Sequence, residues 1–263
     1  MNSKTEKTEA FARLLDTMDA LREGCPWNAE QTMESIRPMT EEEVYELSDA
    51  ILKKDSEAIS KEIGDLLYHM VFYAKIAEEQ GAFDIGDCLR KIVGKMEFRH
   101  PHVFGPKNGK KLSAKEIADT WELVKAKEKG GNKTVMSGIP DAMPAILKAL
   151  SMQEKARGCG FDWEKKEDVW DKVVEELGEV REACDEKDPV HMEEEFGDLL
   201  FAVINASRLY GIDPEAALNS SCSKFRRRFG YLEENTLKKG IKLTDLTLAR
   251  MDEIWDEGKA KGL

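Results

Sequence analysis

Four histidines in 263 residues leave little room for histidine chemistry. His69 and His191 stand alone, so no Ser-His-Asp or Cys-His set can be assembled around them. His100-Pro101-His102 reads better as a structured helix end than as a pair of metal ligands. The five cysteines, at 25, 88, 159, 184 and 222, are odd in number, far apart and include no C-x-x-C. That suits reduced thiols in a cytoplasm and argues against a disulfide framework or a zinc site. No apolar run approaches the ~20 residues that span a bilayer. The opening Met-Asn-Ser-Lys-Thr-Glu-Lys-Thr-Glu carries acids and has no apolar core, unlike a secretory signal. A cytoplasmic protein without a membrane partner is therefore expected. Excess positive charge is missing too, and a net charge of -12 argues against general nucleic-acid binding. Neither G-x-x-x-x-G-K-[ST] nor G-x-G-x-x-G occurs, and no stretch alternates apolar and polar residues as a half-buried strand does.

What the chain has is carboxylates, 52 of them, and they are patterned. Glu175-Glu176-Leu177-Gly178-Glu179 is followed, sixteen residues after its last Glu, by Glu195-Phe196-Gly197-Asp198. Helical positions three apart share a face, so Glu176 pairs with Glu179 and Glu195 with Asp198. The residues between the pairs suffice for one helix to end, turn and return antiparallel. Four carboxylates then converge on one spot, where their mutual repulsion calls for a cation. An all-oxygen set suits hard ions, Mg2+ or Mn2+. Taken alone, EE-x-x-E is also what a solvated helix face looks like in an acidic chain. A ferritin-like di-iron bundle needs Glu-x-x-His, and these motifs end in Glu-x-x-Asp.

Helical periodicity runs through the whole sequence. Phe11, Leu14, Leu15, Met18 and Leu21 predict a helix over 8–23, broken by Gly24-Cys25-Pro26-Trp27-Asn28. Thr40 with Glu43 matches a capping box and predicts a helix start there. A turn near 53–55 leads into the helix of Glu62 and Asp65. Asp84 predicts the cap of a helix ending where His100-Pro101 stops it at Arg99. Asn108-Gly109 reads as a tight turn, and Ser113 with Glu116 as another capping box, starting a helix through Trp121 and Val124. Lys129-Gly130-Gly131-Asn132 is the best linker. Further helices are expected near 144–156 and over about 166–185, then after the N-cap-and-proline pairs Asp188-Pro189 and Asp213-Pro214. A last helix is expected from near Thr244. The fold expected is all-α.

The two halves correspond. Glu43 and Glu176, Glu62 and Glu195, and Asp65 and Asp198 are each 133 residues apart. Lys95 and Lys224, and Arg99 and Arg228, are 129 apart; Trp121 and Trp255, and Cys25 and Cys159, are 134 apart. A near-constant offset through acids, bases, an aromatic and a Gly-Cys element is an internal duplication, with a period too long for a solenoid. It implies two helical domains, 1–132 and 133–263. Gly64 and Gly197 each lie between the carboxylates of a pair, where glycine costs a helix about 1 kcal/mol relative to alanine. A close approach of another helix and room for a ligand both explain them. Lys224 and Arg228, four apart within Lys224-Phe225-Arg226-Arg227-Arg228, share a helix face. With a carboxylate-held ion they would form a polyphosphate clamp.

On these residues the chain resembles the MazG family of all-α nucleoside triphosphate pyrophosphohydrolases, as a tandem of two such domains. The resemblance rests on Glu175-Glu176-x-x-Glu179 with Glu195-x-x-Asp198, and on the N-terminal copy, Glu42-Glu43-x-x-Glu46 with Glu62-x-x-Asp65. Cys25-Pro26-Trp27 and Arg99-His100-Pro101-His102-Val103-Phe104 carry it further. It implies Mg2+-dependent hydrolysis of NTPs or dNTPs to the monophosphate and pyrophosphate. Glu176, Glu179, Glu195 and Asp198 would hold the metal, Mn2+ being an alternative. Lys224 and Arg228 would grip phosphates, and Trp255 would stack on the base, a contact tolerant of base identity. The N-terminal counterparts are Glu43, Glu46, Glu62, Asp65, Lys95, Arg99 and Trp121. Broad specificity, nucleotide-pool housecleaning and a homodimer or higher homo-oligomer follow from the same resemblance. Tandem members generally work through the C-terminal domain, so that copy is expected to be the active one. In it His191 stands where the N-terminal copy has Ala58. Two other readings stay open: a non-catalytic nucleotide-sensing or partner-binding module, and a narrow pyrophosphohydrolase acting on one nucleotide such as dUTP or phosphoribosyl-ATP.

Overall fold

Short polar caps and paired apolar faces build the chain into helices. The computed structural model describes residues 1–105, 113, 116, 117, 124 and 134–263. Its described residues hold helices and short 3-10 turns and no strand. They fall into two compact units, Met1–Gly109 and Lys110–Leu263. The boundary expected at 132/133, the Lys129–Asn132 linker, the Asn108-Gly109 turn and Trp121 lie outside the described residues.

In the first unit α1 spans Lys4–Gly24, four residues earlier than its periodicity suggests, because Ser3 and Glu6 close a capping box. The Cys25–Asn28 break contains a short helix, α2 (Pro26–Glu30), opened by Pro26 at its first position. Helix α3 covers Met33–Lys53, and Thr32 with Ser35 caps it. The start expected at Thr40 is therefore wrong. Pro38 sits within the helix, and the Thr40 hydroxyl donates back to Ile36 O while lying 3.1 Å from His69 Nδ1 and 2.8 Å from Tyr73 Oη. A threonine satisfied by the preceding turn, the buried His69 and the partly buried Tyr73 has no need of a cap role. Lys54, at φ +57°, and the N-cap Asp55 turn the chain into α4 (Ser56–Glu79). Helix α5 (Ile85–Arg99) starts at the Asp84 cap and ends at His100, before the single turn α6 (Pro101–Phe104).

The core of this unit is Met18, Ile36, Val71, Phe72 and Ile76, lined by Phe11, Leu14, Leu15 and Tyr68. Helices α3 and α4 form an antiparallel hairpin, and α1 packs on α4. Arg22 fastens the chain after α1. Its guanidinium pairs with Glu79 and donates to the backbone oxygens of Asn28, Ala29 and Gln31.

The second unit repeats that hairpin. After the reciprocal Ser113–Glu116 cap, the next full helix among the described residues is α7 (Ala145–Gly158). A 3-10 turn at Lys166–Asp168 precedes α8 (Val169–Glu186), and Lys187, at φ +58°, with the N-cap Asp188 leads into α9 (Pro189–Leu209). Lys54 and Lys187 are 133 residues apart and hold the same left-handed turn. Helix α7 packs on α9 as α1 does on α4. Helix α10 (Pro214–Asn235) follows the Asp213 cap, and α11 (Leu248–Ala260) packs against it. The last helix begins four residues later than expected, because Leu243–Asp245 forms a separate 3-10 turn and Thr247 supplies the cap. Gly258 lies at the α10–α11 crossing, where a Cβ would stand 3.3 Å from the Tyr231 ring, so that the ring would have to give by a few tenths of an ångström. Among the described residues no helix is long and apolar enough to cross a membrane.

Candidate active site

The two hairpins carry the acids to their facing sides. In the second unit Glu176 and Glu179 stand one turn apart on α8, and Glu195 faces them from α9. One carboxylate oxygen from each of the three lies within 4.8 Å of the others. Glu176 is buried, and Glu176 Oε2 and Glu195 Oε2 are buried atoms with no hydrogen-bond partner. Burial, then hydrogen bonding and charge from Glu176 and charge from Glu195, push the Glu179 carboxyl above its usual range. Asp198, expected as the fourth ligand, is exposed and its oxygens stand outside this trio.

The first unit makes a similar trio from a different three of its four acids. Glu43 on α3 meets Glu62 and Asp65 on α4 within the same 4.8 Å, and Glu46 stands outside. Glu43 Oε2 and Glu62 Oε2 are again buried without partners. Burial, followed by the charges of Asp65 and Glu46, raises the Glu43 pKa.

Each cluster has a lysine beside it that the motif search passed over. Lys172 Nζ lies 2.8 Å from Glu175 and 2.7 Å from Glu176. Lys61 Nζ lies 3.0 Å from Glu62 and 3.5 Å from Asp65. Their signal was present as lysine four residues before an acid on a helix. His191 bridges Glu186 (2.9 Å) and Glu195 (3.2 Å), and the Glu186 carboxylate above all raises its pKa. His69 is instead a core residue whose pKa burial depresses.

The expected phosphate-binding residues form a second group. On α10, Arg228 donates from Nε to the Leu263 backbone oxygen (2.7 Å). Its guanidinium lies 5.9 Å from the centre of the Trp255 ring, which also contacts Phe225 at 5.1 Å. Lys224 is exposed one turn before Arg228. Among the described residues no hydrogen bond or ion pair joins Lys224 or Arg228 to the acid trio. Lys95 and Arg99 occupy the last turns of α5. Gly64 and Gly197 face open space, since a Cβ at either would meet nothing within 4 Å. Among the described residues no helix explains those two glycines.

Two carboxyl-rich hairpins with orphaned buried oxygens suit a hard divalent cation, which binds oxygen donors alone. The sequence pattern of the MazG nucleotide pyrophosphohydrolase domain matches residues 31–104 and again 164–231, more than half of the chain and both hairpins. The chain belongs to the MazG family. It is 45% identical over 255 residues to the nucleoside triphosphate pyrophosphohydrolase/pyrophosphatase MazG of Thermotoga maritima, covering 96% of each chain. It is 40% identical to the nucleoside triphosphate pyrophosphohydrolase of Escherichia coli K12, over 94% of this chain and 96% of that one. A Bacillus subtilis protein, YabN, is 41% identical across 90% of this chain but only 48% of its own length. Duplication of the MazG hairpin is thus visible both in the motif match and in the two acid trios.

Proposed function

We propose that this MazG chain hydrolyses ribo- and deoxyribonucleoside triphosphates to the monophosphate and pyrophosphate, with broad base tolerance, at the α8–α9 hairpin. The observation that carries this reading is the pair of buried, unpartnered oxygens, Glu176 Oε2 and Glu195 Oε2, converging with Glu179 from two helices. A buried polar atom left without a partner costs about 1–3 kcal/mol, which a bound cation would offset. Glu176, Glu179 and Glu195 would hold Mg2+ or Mn2+, with Asp198 closing on it from the next turn of α9. The bound ion would draw charge from the phosphates and make water a better nucleophile.

The chain's own residues do the rest. Attack of a water oxygen on the α-phosphorus breaks its bond to the bridging oxygen, and pyrophosphate leaves. A carboxylate oxygen of the trio not engaged by the ion, that of Glu179 on α8, would accept the proton of that water. Lys172 adds positive charge beside the trio, and Lys224 and Arg228 would grip the outer phosphates. Identities of 45% and 40% across at least 94% of this chain with two relatives named as nucleoside triphosphate pyrophosphohydrolases support the assignment.

The same reading includes a homodimer or higher homo-oligomer. Trp170, Val174 and Leu177 form an exposed apolar stripe on α8, and Phe196, Leu200 and Val203 another on α9. Apolar area of that extent on a soluble chain favours burial against a second copy. The five thiols are free, which supports a reducing cytoplasm as the setting; nucleotide-pool housecleaning is the task the MazG resemblance implies.

The test is to incubate the protein with each NTP and dNTP, with and without Mg2+, and to measure pyrophosphate against orthophosphate. Pyrophosphate from several nucleotides, dependent on the metal, is the expected result. Turnover of one nucleotide alone would establish a narrow enzyme. Failure to turn over any of them would leave only a nucleotide-sensing module, and orthophosphate as first product would contradict cleavage between the α and β phosphates.

A further inference from the structure

Arg228 is held by a segment that no motif marks, the turn that closes α11. Gly262 N donates to Lys259 O at 2.9 Å, and Leu263 N reaches back to Gly258 O at 3.2 Å. Those two bonds make a Schellman closure, which needs a left-handed residue where Gly262 stands at φ +80°. The closure fixes where Leu263 leaves the helix. From there the Leu263 backbone oxygen accepts from Arg228 Nε at 2.7 Å, a contact across 35 residues of chain. Capping the helix does not require that reach.

A clasp further along α10 keeps the turn in place. Lys261 Nζ donates to Tyr231 Oη at 2.6 Å and lies 4.4 Å from the centre of that ring. Tyr231 Oη in turn donates to Glu257 at 3.3 Å. Tyr231 comes three residues after Arg228, so the two side chains leave α10 on one side. The close crossing at Gly258 lets α11 meet both. In the first copy α5 stops at Arg99, so no residue of that helix stands where Tyr231 does.

The turn uses only one donor of Arg228. A guanidinium carries one N–H on Nε and four on its two terminal nitrogens. Leu263 O takes the first, and the Trp255 ring lies 5.9 Å from the guanidinium carbon. Among the described residues the terminal nitrogens make no hydrogen bond, and no carboxylate pairs with Arg228, although the chain carries 52 Asp and Glu. With Nε engaged, the edge formed by Nε and one terminal nitrogen is closed to a ligand. The terminal pair remains as a fork, which suits two oxygens of one phosphate. Holding that fork beforehand removes the loss of side-chain freedom that a swinging arginine would suffer on binding.

We propose that the Lys261–Leu263 turn is a positioning element of the phosphate grip, orienting Arg228 through Leu263 O so that its two terminal nitrogens meet a polyphosphate end-on. Lys261 and Gly262 act through Arg228 and touch no substrate. The inference rests on the reading that Arg228 grips phosphates and adds what aims it.

Calorimetric titration of the full chain with inorganic triphosphate in Mg2+ tests this without turnover. Arg228→Ala should weaken binding by about tenfold or more, the loss of charge-assisted hydrogen bonds. Gly262→Val puts a β-branched residue where φ is positive and should release the turn. It is expected to weaken binding by about threefold or more, the cost of immobilising a freed side chain. Gly262→Asn, which tolerates the left-handed position, should bind as the wild type does. In the Arg228→Ala background Gly262→Val should add nothing, since both changes act through one residue. Lys261→Met cuts the tie to Tyr231 and should give a smaller loss with the same dependence on Arg228. It carries the test if Gly262→Val does not fold. Full affinity in Gly262→Val, an equal loss in Gly262→Asn, or a loss that persists without Arg228 overturns the proposal. Unchanged binding in Arg228→Ala, or no binding by the wild type, would sink the phosphate reading of Arg228 and the proposal with it. A loss in Arg228→Ala beside intact binding in Gly262→Val would sink the positioning role alone.

Discussion

The Lys172 ammonium lies 2.7 Å from Glu176 Oε1, one turn ahead of it on α8, while the other oxygen of that carboxyl is buried with no partner. The lysine is thus the one cation among the described residues that touches Glu176, and it leaves half of the carboxylate unsatisfied. Replacing Lys172 by Met should destabilise the metal-free second unit by about 1–3 kcal/mol, the usual cost of stranding a buried charged acceptor. Added Mg2+ should recover part of that loss, because a ligand that binds only the folded state stabilises it. Thermal melts with Mg2+ and with EDTA check both halves. A Lys172→Met melt that Mg2+ does not raise would contradict a cation site at Glu176.

Both hairpins carry a trio, but in the second copy α10 runs on past Arg228, whereas α5 stops at Arg99. Glu176→Gln with Glu179→Gln should lower kcat/KM by at least about a hundredfold, since an amide holds Mg2+ far more weakly than a carboxylate and the ion's pull on phosphate charge would go with it. Glu43→Gln with Glu46→Gln should leave most of the activity. Steady-state release of pyrophosphate from ATP and dCTP measures both. Activity lost only with the N-terminal pair would reverse the assignment of the working copy.

The apolar stripes of α8 and α9 predict the assembly. Val174 and Leu200 are each more than 60% exposed in the single chain. A charge at either would be buried unpaired in an interface, at a cost of several kcal/mol. Val174→Asp and Leu200→Asp should shift the sedimentation mass toward the monomer while the circular-dichroism signal of the helices stays. A wild-type chain that sediments as a monomer at every concentration would end the dimer reading.

Acid should loosen the first unit at Arg22. The hydrogen bond from Arg22 holds the Glu79 carboxyl below its usual value of 4.5, opposed by burial and helped by the Arg22 charge. A carboxyl with a depressed folded-state pKa adds stability above its unfolded value. That contribution fades as pH falls below 4.5 and through the folded-state pKa. Glu79→Gln should therefore cost at most about 1 kcal/mol near neutral pH, because the Glu79 side chain is 37% exposed and solvent screens the pair. The gap to wild type should close progressively on acidification. Urea unfolding at pH 7, 5, 4 and 3 reads it, and a pH-independent gap would refute the account.

Much of the local structure was legible because it depends on neighbours in sequence. Asp84, Asp188 and Asp213 cap their helices as read, since a side-chain oxygen three residues from an orphaned N–H needs no tertiary help. Thr40 misled because its hydroxyl has two uses, and only the packing of His69 and Tyr73 shows which it makes. Spacing left two uses open for the glycines of the acid motifs, a close approach of another helix and room for a ligand. Among the described residues Gly64 and Gly197 face open space, which removes the first.

The sequence by itself determined the all-α class, the duplication and the pairing of acids across two hairpins. These follow from periodicity, caps and a repeat offset, all counted along the chain. Only the tertiary structure decided which three acids of each four come together and that Glu176 Oε2 and Glu195 Oε2 are left without partners. It also decided that Arg228 Nε is taken up by Leu263 O. Spacing can put residues on one face, but whether that face meets a neighbour, an ion or empty volume depends on side chains tens of residues away, as Gln153 meeting Phe201 and Asn28 meeting Tyr68 show.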